Sequence, residues 1–221
     1  MHKIASFIVI TSITCSQAFA NRYHEKIKHN NLPGLEALCR NKRSGINEKA
    51  KFGESPLHMA VVHNKPEMAQ LLLTAGASIL TTNDNGQTPL HSAAQRGFNA
   101  ILSLLIQNLN LEEDAEDRTA ILDWQDQDGN TALHLAAQAE NANCIRRLVG
   151  AGADISIKNN QGLHAATIAQ HLRDSYRGCD TKTKIRLSAC HRFLQEKAHD
   201  QIALIGNPYG ILADLNDLAI A

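Results

Sequence analysis

The chain holds 221 residues, 22 of them basic and 22 acidic, and only 4% of its side chains are aromatic. That length suits one elongated domain rather than two. With the charges cancelled and no basic stripe, a nucleic-acid or membrane-surface role has no electrostatic support.

In chain order, residues 1–20 stand apart. His2 and Lys3 precede an apolar run from Ile4 to Ile13 that is too short to span a bilayer, and Ala18-Phe19-Ala20 supplies the small residues of a cleavage site. This order predicts a cleavable signal peptide and a mature chain that begins at Asn21, periplasmic or secreted and off the membrane. A buried N-terminal helix is the alternative, and Ser12 and Thr14 fit a lipidation context around Cys15 poorly.

From residue 53 the chain repeats itself. Gly53, Pro56, Leu57, His58 and Ala60 return 33 residues later as Gly86, Pro89, Leu90, His91 and Ala93. A third copy, Gly129, Thr131, Leu133, His134 and Ala136, follows after 43 residues, and Gly162 opens a worn fourth after 33 more. Ile46, Ile79, Leu122 and Ile155 each stand seven residues before one of these glycines and mark the same register. The units expected are 53–85, 86–128 with a 10-residue acidic insertion, 129–161, and 162–198 as a degenerate fourth unit and cap. A degenerate capping unit over 21–52 precedes them and an apolar tail over 199–221 follows.

Within each unit the residues specify a helical hairpin. Ser55, Thr88 and Thr131 are placed to cap a first helix, with Pro56 and Pro89 at the first helical position. Leu57, Leu90 and Leu133 turn inward beside Ala60, Ala93, Ala94, Ala136 and Ala137, which are small enough for close helix approach. Second helices carry apolar stripes at Met68–Leu73, Ile101–Leu105 and Cys144–Val149, and Gly76 and Gly152 stop two of them. Leu35, Leu38 and Cys39 give the first cap a second-helix stripe, followed by a turn at Gly45-Ile46-Asn47. A closing helix is expected over Lys182–Glu196, with Ile185, Leu187, Ala189, Phe193 and Leu194 apolar.

The block GxTPLHxA at a 33-residue period resembles the ankyrin repeat, over roughly residues 35 to 170. The resemblance implies an all-α fold, an ankyrin-repeat α-solenoid of stacked helix-turn-helix units with β-turn fingers, each unit stable only through its neighbours. It implies a protein–protein interaction module, non-catalytic, monomeric and without cofactor. The protein partner would meet the concave face of turn tips and first helices. Those positions map to Asp84, Gln87, Gln95, Arg96, Trp124, Gln125, Gln127, Asn130, Gln138, Lys158 and Asn160. Trp124 is the sole tryptophan; it is either a binding anchor or a cover over the acidic insertion.

Most ankyrin proteins work in cytosol or nucleus, so a signal peptide points to a bacterial exported protein. The missing NxS and NxT sequons agree with that. The alternatives are a host-directed effector using the same face, or a small metal protein or enzyme using the histidines and the acidic insertion.

The resemblance gives His58, His91 and His134 a structural part in the adjoining turn. One ring per unit sets them about 10 Å apart, too far to share an ion with Zn–N bonds of about 2 Å. Glu112, Glu113, Asp114, Glu116 and Asp117 form a solvated loop, an extra helical turn or a contact for a basic partner. Cys39 and Cys144 belong to different units and read as buried hydrophobes. Cys179 and Cys190 could pair only if Cys179 folds back from a loop. The tail from Ile202 to Ala221 is apolar enough to dock on the stack or serve as a recognition segment.

Overall fold

The computed structural model describes residues 20–40, 45–112, 115–175 and 188–198, with the backbone alone at 110–112 and 115–117. Residues 1–19 of the expected signal peptide, Glu113 and Asp114 of the insertion, Cys179 and the apolar tail lie outside the described residues. No described helix is long and apolar enough to cross a membrane.

The described elements are helical, paired as antiparallel hairpins. They run α1 (20–28) with α2 (Leu32–Arg40), α3 (Pro56–Val62) with α4 (Pro66–Thr74), and α5 (Pro89–Arg96) with α6 (Asn99–Glu112). After α7 (Ala115–Leu122) come α8 (Ala132–Gln138) with α9 (Ala142–Ala151), then α10 (Ala165–Ser175) with α11 (188–198). First helices pack in the row α3, α5, α8, α10, and second helices in the row α2, α4, α6, α9. The three TPLH-type segments are therefore spatial neighbours in chain order, as an ankyrin solenoid requires.

The core lies between the two rows and runs unbroken from Tyr23 to Ala198. Leu57, Leu90 and Leu133 fill it with Ala60, Ala93, Ala94, Ala136 and Ala137, all buried. Each of the four hairpin turns among the described residues passes through one left-handed residue, Asn30, Asn64, Gly97 or Glu140. Gly97 carries that conformation without strain, at φ 72°. The second-helix stops also fall as expected, with α9 ending at Gly152, φ 103°.

Three features depart from the sequence reading. The N-terminal cap has a first helix as well as the second helix that Leu35, Leu38 and Cys39 mark, because α1 buries Tyr23 and Ile27 against the stack. Asn21-Arg22-Tyr23-His24 lies 34 residues before Ser55-Pro56-Leu57-His58, so α1 is a worn first helix whose tyrosine takes the leucine position. The described part of the insertion exceeds one extra helical turn, with α6 running to 14 residues and a separate α7, whose Ile121 and Leu122 are buried. On α11 the buried face is Cys190, His191, Leu194 and Ala198, at helical spacing, and Ala189 points outward.

Candidate partner-binding face

Between hairpins the chain makes fingers, and their geometry repeats atom for atom. Asn83, Asp126 and Asn159 each close a turn with one side-chain oxygen, which accepts the N–H groups two and four residues on at 2.8–3.0 Å. Each glycine that follows by three has positive φ. At Gly129, φ 73°, an added Cβ would stand 2.7 Å from the Asn160 backbone nitrogen, so the fingers leave no room for a side chain there.

Neighbouring fingers are joined by backbone bonds. Asp84 N–H donates to Phe52 O, Gln127 N–H to Asn85 O, and Asn160 N–H to Asp128 O, at 3.0–3.2 Å. Side chains add a second set. The Gln127 carboxamide donates to Asp84 O at 2.8 Å, Asn160 to Gln127 O at 2.9 Å, Gln125 to Lys158 O at 3.0 Å, and Gln87 to Asp126 Oδ2 at 3.3 Å. Asn130 accepts from Asn159 through its side-chain oxygen. Seven of the eleven predicted contact positions are thus members of a ladder that holds the fingers in register. Their first duty is to shape the face.

The histidines lock this ladder to the helices. The backbone N–H of Ser55, Thr88 and Thr131 donates to Nδ1 of the histidine three residues on, and the hydroxyl lies 2.8–2.9 Å from the same nitrogen. The opposite nitrogen, Nε2, reaches a carbonyl of the next unit, which can only accept, so the proton sits on Nε2. Burial pushes His58 down to about 4, with the Gln87 carbonyl pulling the other way. Burial also lowers His91 and His134, again against a carbonyl bond. His24 on α1 was not singled out from sequence. It is nearly buried beside the Glu54 and Ser55 backbone, and burial lowers it too. Among the described residues no three His, Cys, Asp or Glu side chains gather at metal-binding distance.

Fingers and first helices enclose a concave hollow of about 440 Å³. Of the positions singled out from sequence, Gln87, Gln95, Asn130, Gln138 and Asn160 line it. Asp84, Arg96, Trp124, Gln125, Gln127 and Lys158 are not in its lining. Arg96 stands near enough to Glu54 to favour its carboxylate, though burial, the larger effect, raises that group. Trp124 is 43% exposed, with its backbone beside His91. The lining also includes Asp128, Leu163, Ile168, His171 and Leu172, which sequence reasoning missed. Asp128 could have been found as the residue just before a finger glycine. The others sit in the worn fourth unit, where the repeat motif no longer marks the inner side.

Tandem hairpins that open a lined concave face make the architecture of a repeat scaffold, a fold that works by presenting surface. Comparison with known families agrees. The profile for ankyrin repeats in three copies matches residues 23–117, and that for ankyrin repeats in many copies matches 115–169. The chain belongs to the ankyrin repeat family.

Curated relatives include the NF-kappa-B p105 subunit of Gallus gallus, 31% identical over 58% of this chain and 12% of that protein. Human B-cell lymphoma 3 protein is 32% identical over 60% of this chain and 28% of its own length. NF-kappa-B inhibitor alpha of Sus scrofa is 33% identical over 50% and 34%. The chain thus spans about a third or less of these relatives. They are animal proteins and lend no support to a bacterial, exported origin.

Proposed function

We propose that this chain is a non-catalytic scaffold that holds a protein partner on its concave face, as a monomer. The observation that carries this reading is the hollow crossing fingers and first helices from Gln87 to Leu172, lined by five positions singled out from sequence. One relative is named as an inhibitor of NF-kappa-B, a protein acting on protein, which supports the same class of role.

Site-specific photo-cross-linking tests it. A photoreactive residue at Gln95 or Gln138, on first helices, should capture the partner from native extract. One at Gln70 or Arg146, exposed on second helices, should not. Capture from the second helices alone would overturn the reading. Stoichiometric metal in the purified protein would favour the rival metal-protein reading.

Export is proposed on the order of charge, apolar run and Ala18-Phe19-Ala20. The scaffold would then act in the periplasm, outside the cell, or as an effector within a host. Ala20 already lies in α1 and is buried, so cleavage behind it would act before α1 folds. Sequencing the N-terminus of the exported protein should read Asn21 first; an intact Met1 there would refute cleavage.

A further inference from the structure

We propose that the hollow accepts an extended polypeptide segment that sets an apolar side chain beside a basic one. This rests on the concave face being the binding surface, and it names what that surface recognises.

Two carboxylates line the hollow, and only one of them is engaged among the described residues. The Asp126 carboxylate is buried and fully employed, one oxygen holding its own finger and the other accepting from Gln87. Asp128 differs. Its side chain is exposed and makes no ion pair among the described residues. The lining holds these two carboxylates and no lysine or arginine, and His171 is its one histidine. A guest residue there meets a field that favours a cation.

Apolar surface lies beside that charge. Leu163, Ile168 and Leu172 line the hollow from the fourth unit and are only half-buried. Their partial exposure is enough to seat one aliphatic or aromatic side chain.

The remaining free groups decide between a folded surface and an extended one. The carboxamides of Gln95, Gln138 and Gln161 line the hollow and have no hydrogen bond among the described residues. A primary amide donates and accepts at once, which matches the N–H and C=O that an extended backbone leaves unpaired along its edge. A volume of about 440 Å³ admits a few side chains of such a segment at once.

The test uses the full chain and a displayed library of random short peptides. Peptides selected on the wild type should be enriched in Lys or Arg near an apolar residue. Selection on Asp128→Lys should shift towards Asp and Glu, and a peptide chosen on the wild type should bind that variant roughly tenfold more weakly. Asp128 is exposed, so circular dichroism of the variant should match the wild type. Lack of enrichment, acidic peptides from the wild type, or an unaltered charge preference on Asp128→Lys would each overturn the proposal. If a partner cross-links from Gln138 while peptide selection fails, the concave face stands as the surface and only its preference for an extended basic segment falls.

Discussion

The Nε2–H of His58 donates to the carbonyl oxygen of Gln87, 2.9 Å away and one unit further along the stack. His91 does the same to Asn130 at 3.2 Å, and His134 to Leu163 at 3.0 Å. Each bond ties the start of one hairpin to the finger of the next, and the neutral ring is needed at its other nitrogen, where Nδ1 accepts the backbone N–H of Ser55, Thr88 or Thr131. A second proton would fall on Nδ1, which already faces an N–H donor.

Acid should therefore loosen the stack. Burial lowers His58, His91 and His134 in the folded state, His58 from 6.5 to about 4. A depressed folded value means that the unfolded chain takes up protons first, so stability is complete above about 6.5 and is lost as pH falls towards the folded values. For His58 alone the loss is on the order of 3 kcal/mol. Glu54 and Asp123, raised by burial, offset part of this at the acid end. The urea midpoint should drop between about pH 7 and pH 5; a flat profile there would count against neutral buried rings.

Glu140→Asn should stabilise the protein. Glu140 sits at φ 58° in a hairpin turn where the corresponding residues are Asn30, Asn64 and Gly97. Asparagine tolerates the left-handed region better than glutamate, and the gain expected is about 0.5 to 1 kcal/mol. Thermal melting reads it directly, and a lower Tm would show that the turn is not strained.

Gly129→Ala should do the reverse. The methyl group meets the Asn160 backbone at 2.7 Å in a conformation, φ 73°, that L residues avoid. Together these should cost more than about 1 to 2 kcal/mol. Hydrogen exchange at the Asn160 and Gln127 amides should accelerate along with the fall in Tm.

Leu90→Asp should unfold the stack. Leu90 is 4% exposed at the start of α5, between the neighbouring first helices. Removing it forfeits about 1.5 to 3 kcal/mol of burial and leaves a carboxylate without a partner. The favourable interaction of an acid with the helix N-terminus returns only about 0.3 to 1 kcal/mol. Retention of the wild-type melting curve would contradict the packing described.

Trp124→Ala should leave helicity and Tm nearly unchanged, since the ring is 43% exposed and outside the hollow. If Trp124 is a binding anchor, partner affinity should fall by about 2 kcal/mol or more. Equal affinity of the two proteins would assign the ring to packing alone.

Short-range chemistry was legible in the chain itself. The 33-residue period, Ser55, Thr88 and Thr131 as caps, the prolines behind two of them and the apolar stripes each act within one hairpin, so their spacing is enough to identify them. Tertiary structure decided what lies between hairpins. Gln127 bonds to Asp84 across 43 residues and Gln125 to Lys158 across 33, turning expected contact side chains into internal ties. Nothing local distinguishes an exposed glutamine that binds a partner from one that braces the neighbouring finger, because the difference is set by which unit stacks beside it. For the same reason Tyr23 and His24 declared themselves as a first helix only once the next hairpin lay against them, and Leu163, Ile168 and Leu172 became one floor only when the fourth unit closed the hollow.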